Sequence, residues 1–163
     1  MSPSFRPTRL SAGLALLVAI GAVLVGIRAP LIPLAVTTLG FVAFAAGLLI
    51  GTHEWMASGT VMLVVGMVLT SLTGVSLPIV LLGTLATLVS WDLAEHAIGL
   101  GHHVGRDAGT RRNEAVHAGL SGLVGGTGVV LALTASTLSV HLSLPAFLVL
   151  LFGGIVLVAV LRT

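Results

Sequence analysis

Long apolar runs, separated by short polar or proline-bearing strings, dominate the chain from residue 10 onward. They fall at 10–27, 31–51, 56–75, 77–90, 116–138 and 144–161, most of them close to the roughly 20 residues a helix needs to cross the hydrocarbon core of a bilayer. The pattern predicts an all-α integral membrane bundle of about six transmembrane helices within a single domain, 1–163. Three inter-helix strings carry prolines, at 28–33, 75–78 and 142–145, and each opens an apolar run. Proline is tolerated in a first helical turn, where its missing N–H has no intrahelical partner. The rhythm therefore predicts three antiparallel hairpins. The fourth run is short unless its helix continues through Trp91 and the apolar residues after it.

Composition strengthens the membrane reading. The chain is 56% hydrophobic and only 7% charged, against roughly a quarter charged in soluble domains. The net charge of +2 marks no basic patch, so no nucleic-acid surface is expected. Without cysteine there is no disulfide, thiolate metal site or cysteine nucleophile. The first run follows Arg6 and Arg9, as a signal peptide would, but it is long and lacks a small-residue cleavage site, so a retained helix is expected. With six spans, Arg6, Arg9, Arg106, Arg111, Arg112 and Arg162 share one side and Arg28 stands alone on the other. The positive-inside rule then places both termini in the cytoplasm of a multi-pass cell-membrane protein.

The polar residues are not spread evenly. Residues 91–117 hold Asp92, Glu95, Asp107 and Glu114, four of the five acids, together with Arg106, Arg111, Arg112, His96, His102, His103 and His117. On a helical wheel Asp92, Glu95, His96, Gly99, His103, Arg106 and Asp107 share one arc, and Leu93, Ala94, Ala97, Ile98, Leu100 and Val104 the other. This predicts a cytoplasmic interfacial amphipathic helix within 91–115, anchored by Trp91 at the headgroup level. Gly109 and Thr110 read as a turn and N-cap before the fifth span. His53, Glu54 and Trp55, read as an interfacial turn, lie on the same side as this segment.

Several chemistries are open to these residues. Asp92, His96 and His103 recur at helical spacing, and Glu95, His102 and His117 could complete a divalent-metal shell; the candidates for a metal are His96, His103 and His117. The same residues also satisfy one another as ion pairs on a solvated face. Gly119-Leu-Ser121-Gly122 matches the GxSG string of rhomboid intramembrane proteases, but the last span offers no histidine, and His141 falls in a loop on the opposite side. The glycine-rich 121–128 stretch lacks the lysine and preceding strand of a phosphate loop, and reads as a close-packing face. Gly47 with Gly51, and Gly122 with Gly126, are the expected small-xxx-small pairs. No ionisable residue falls inside a predicted span, which argues against a pump or proton-coupled transporter. A passive channel stays open.

Trp91-Asp92, Glu95, Ala97-Ile98-Gly99-Leu100-Gly101, Gly105-Arg106, Thr110-Arg111-Arg112 and Glu114-Ala-Val-His117-Ala118 together resemble the signature of a small family of haloarchaeal polytopic membrane proteins of unknown function. The resemblance is specific over residues 91–122. It implies genes near those of MoxR-type AAA ATPases, and hence an ATPase-associated complex as a partner. His102 and His103 stand where Glu and Gln are expected, and no catalytic residue is implied.

The sequence therefore points to a non-enzymatic accessory subunit that docks a partner or self-associates, as a homo-oligomer, through residues 91–117. Trp91, Asp92, Glu95, Arg106, Arg111, Arg112 and Glu114 are the expected contacts to partner or membrane lipid. The alternatives are a metal-dependent enzyme or carrier using Asp92, Glu95, His96 and His103, and a channel.

Overall fold

A computed structural model of the chain describes residues 7–103 and 111–137, to which every structural statement below refers. Within them lie five helices: α1 (Arg9–Gly26), α2 (Leu31–Ile50), α3 (His53–Ser71), α4 (Leu77–His103) and α5 (Arg111–Thr137). Each is long and apolar enough to cross a membrane. Residues up to Leu131 form one compact unit, and that unit is described here. Arg106, Asp107, the Gly109-Thr110 turn, His141 and the expected sixth span lie outside the described residues, as do the side chains of His102 and His103.

The helix limits follow local chemistry. Pro30 caps α2, and Gly51 ends it with φ 81°, a left-handed conformation that glycine adopts without a Cβ penalty. The N–H groups of Gly51 and Thr52 both donate to the Gly47 carbonyl, satisfying an acceptor at the helix end. Gly51 is thus a helix stop rather than a packing residue. Only Gly51 and Thr52 separate α2 from α3, so His53, Glu54 and Trp55 form the first turn of a helix instead of an interfacial loop.

The turns that predicted hairpins do not join the closest pairs. The tightest associations are α2 with α3 and α1 with α4, both antiparallel. In lipid, helices gain no hydrophobic drive toward one another, so close approach between small residues matters. Gly40 and Gly47 on α2, and Gly59 and Gly66 on α3, recur at seven residues and face the partner helix. A Cβ on Gly59 would stand 2.2 Å from the Phe44 nitrogen, and one on Gly47 2.2 Å from the Met56 nitrogen. Between α1 and α4 the same role falls to Ser11, Ala15, Ala19 and Ala22, all buried, against Gly83, Thr87, Ser90, Ala94 and Ala97, while Gly26 meets Thr37 of α2. Gly122 and Gly126, expected to pack, meet nothing within 4 Å, whereas a Cβ on Gly125 would strike Leu85.

Large aliphatic side chains point outward, among them Leu17, Leu24, Leu31, Leu49, Val61 and Leu123. That inside-out distribution suits a bilayer, whose acyl chains accept apolar surface at no cost. Hydroxyls within the helices, such as Thr37, Thr60, Thr70 and Thr87, return their protons to the carbonyl four residues earlier. This satisfies them without a second helix.

Residues 91–103 are not a separate interfacial helix. They continue α4, which runs unbroken from Leu77 to His103. The apolar arc of the wheel explains why: Leu93, Ala94, Ala97 and Ile98 are buried in the core, extending the stripe that faces α1. Asp92, Glu95 and His96 therefore lie within a helix stretch, Leu77–Gly101, of membrane-crossing character. These ionisable groups thus occupy the last part of a helix that is longer than the roughly 20 residues a crossing needs.

Candidate functional site

Asp92, Glu95, His96, Glu114 and His117 turn toward neighbouring helices, and they form three contacts at one end of the bundle. The first joins α5 to the start of α1. Glu114 is 2% exposed. Its Oε2 accepts hydrogen bonds from Thr8 Oγ1 at 2.9 Å, the Ser11 backbone N–H at 2.8 Å and Ser11 Oγ at 2.7 Å. Thr8 is the N-cap of α1 but makes no capping bond with its own side chain. Glu114 supplies that acceptor from another helix, where the positive end of the helix dipole also favours an anion. The Thr8 N–H donates to the Ala97 carbonyl at 3.1 Å, tying the same turn to α4.

The second contact joins α4 to α5. His117 Nε2 lies 2.9 Å from Asp92 Oδ2, within ion-pair distance, yet without the alignment of a hydrogen bond. Ser121 Oγ donates to the same carboxylate oxygen and lies 3.0 Å from the His117 carbonyl. His117 and Ser121 are four residues apart and so share a helix face. On the other side His117 stacks on His96, with ring centroids 4.0 Å apart and planes 13° from parallel. Burial leaves His96 Nε2, like His117 Nε2, without a hydrogen-bond partner.

The third contact is looser. His53 Nδ1 sits 3.5 Å from Glu95 Oε1, and its ring meets Trp91 edge-on at 5.5 Å. Arg111 and Arg112 are exposed at the start of α5.

This geometry separates the sequence candidates. Asp92, His96, Glu114 and His117 are gathered at the α1–α4–α5 junction, Trp91 and Glu95 face α3, and Arg111 and Arg112 face outward. A metal binds in the plane of an imidazole, along the nitrogen lone pair, and two nearly parallel rings share no such point. As stacked, His96 and His117 do not ligate one ion, and no group of three or more possible ligands converges among the described residues. Nor does Ser121 donate to an imidazole, as an activated serine nucleophile would. Thr8 and Ser11 are participants that sequence reasoning missed, and Ser121, read as the serine of a GxSG string and as part of a packing face, is a partner of Asp92 instead. Its four-residue spacing from His117 was the signal for that role.

Beside the second contact an open groove of about 550 Å³ runs between α4 and α5. Leucines and valines of both helices form its walls, and Asp92, His117 and Ser121 stand at one end.

Among the described residues the chain is an all-α bundle of five helices long and apolar enough to cross a membrane, the features of a helical membrane protein. A family profile matches residues 5–158, and the chain belongs to that family, described as a family of unknown function (DUF7519). Comparison with curated proteins and with solved structures found no match.

Proposed function

We propose that this is a non-enzymatic, multi-pass membrane protein that binds a small ligand within the bilayer, at the Asp92–His117–Ser121 cluster. The observation that carries the reading is the placement of Asp92: a half-exposed carboxylate inside an apolar helix, opening onto a groove rather than sealed in the core. Ionisable groups are costly at membrane depth and by default mark function there. Arginine distribution supports a cytoplasmic location for this end of the bundle, since Arg9, Arg111 and Arg112 lie there and Arg28 lies at the other. The test is extraction of the protein from native membranes in copolymer-bounded discs, with mass spectrometry of what it retains. A species held by the parent and lost from both Asp92→Asn and His117→Ala is expected. Identical retained species in all three would refute the site.

A second reading rests on Arg111 and Arg112, which remain exposed in the first turn of α5. They suit anionic lipid headgroups or the carboxylates of a protein partner, in keeping with an accessory role beside an ATPase-associated complex. Copurification that survives Arg111→Glu with Arg112→Glu would remove this reading.

A further inference from the structure

We infer that the ligand is a single-chain amphiphile with a protonated amine head, its alkyl chain lying in the α4–α5 groove and its head on Asp92. The inference rests on the binding site proposed above and names its chemistry.

The groove has the form of such a molecule. Its walls are Leu81, Leu85 and Leu88 on α4 with Leu120 and Val124 on α5, and Gly128 leaves the end away from Asp92 open. From Leu81 to Asp92 the helix rises about 16 Å, which an extended dodecyl chain fills. The volume of about 550 Å³ lies within the roughly 300–1,000 Å³ of ligand sites. Membrane acyl chains can enter any apolar cleft between helices, so the chain alone specifies nothing. Specificity comes from the polar end.

There Asp92 Oδ2 takes both protein contacts, from Ser121 and His117. Oδ1 accepts no hydrogen bond among the described residues, while the Asp92 side chain is 46% exposed and lines the groove. Among the described residues no arginine lines the groove. The head position therefore offers a spare anionic acceptor, and the one imidazole beside it, His117, is turned to Oδ2. An ammonium head supplies what Oδ1 lacks, and a charge-assisted bond at this depth is only weakly screened.

The full chain in phosphatidylcholine nanodiscs, assayed with radiolabelled dodecylamine by scintillation proximity, tests this directly. Saturable binding above that of empty nanodiscs is expected, with no displacement by excess dodecanoate. Asp92→Asn is expected to weaken binding at least tenfold. Gly128→Phe, which adds its ring where nothing lies within 4 Å of the glycine, is expected to abolish it. Displacement by dodecanoate as effective as by unlabelled amine, or parental affinity in Asp92→Asn, would overturn the inference, and the first of these needs no variant to fold. Failure of the amine to bind while a native species still depends on Asp92 would sink the amine and leave the site standing.

Discussion

Replacing Glu114 provides a stringent test of how the fifth helix is held. Its carboxylate receives three donors at the first turn of α1, one of them the Ser11 backbone N–H, three residues past the N-cap. A capping bond contributes about 1 kcal/mol, and an anion at a partly buried helix N-terminus up to about 2 kcal/mol. These overlap, because one carboxylate does both. When Glu114→Ala removes it, the two hydroxyls can rotate to other acceptors, but the Ser11 N–H cannot. The expected destabilisation is therefore about 1–3 kcal/mol, the range for losing the partner of a buried polar group. Glu114→Gln keeps an acceptor and loses the charge, for a cost of about 1–2 kcal/mol. The discriminating quantity is the coupling between Glu114→Ala and Ser11→Ala in a double-mutant cycle, read by circular dichroism during unfolding in mixed micelles. Interhelical hydrogen bonds in membranes couple by about 0.6 kcal/mol on average and reach about 1.7 kcal/mol. A charged acceptor with two bonds to one residue belongs at the upper end. Coupling below about 0.3 kcal/mol, the ordinary scatter of independent sites, would refute the cross-helix cap.

Three further outcomes follow from the packing and the charge distribution. Gly59→Ala should destabilise by at least about 1–3 kcal/mol, as overpacking does, because its Cβ meets the Phe44 backbone; Gly122→Ala, with nothing within 4 Å, should be neutral in the same unfolding assay. A single cysteine at Ser76 should react with an impermeant maleimide on intact cells and one at Asn113 only after permeabilisation; the reverse pattern would invert the orientation. In a Trp55→Phe background, His53→Ala should shift Trp91 emission while changing stability by no more than about 0.5 kcal/mol, since the half-exposed His53–Glu95 pair contributes little.

Helix existence was legible in the sequence because each apolar run is interrupted by proline, glycine or charge. The course of α4 was not. Asp92, Glu95 and His96 occupy one arc, and an arc of that kind describes an interfacial helix as well as a span whose polar side meets other helices. The distinguishing sign lies upstream: Gly83, Thr87, Ser90, Ala94 and Ala97 form one continuous stripe of small residues across the supposed boundary at Trp91. A stripe that keeps its phase belongs to one helix. The Glu114 contact was illegible for a different reason. Its partners Thr8 and Ser11 are 106 and 103 residues away in sequence, and no local spacing encodes such a pairing. The polar segment could be recognised as the place where chemistry gathers, but the direction its residues face depends on tertiary packing alone.

The three modes of helix contact divide the bundle. Glycines lock α2 to α3, and alanines and hydroxyls lock α1 to α4, whereas α5 buries only Glu114 among its described residues. Because apolar surface in lipid supplies no force between helices, the position of α5 is set by Glu114 on α1, by His117 and Ser121 on Asp92, and by the steric stop of Gly125 against Leu85. Two of those side chains, His117 and Ser121, also form the polar end of the groove. The site and the placement of its α5 wall thus depend on the same carboxylate. A cation on Oδ1 leaves both protein contacts on Oδ2 in place, but an anion at the same point would repel the carboxylate that holds them, which is why charge, more than chain length, should decide what the groove accepts.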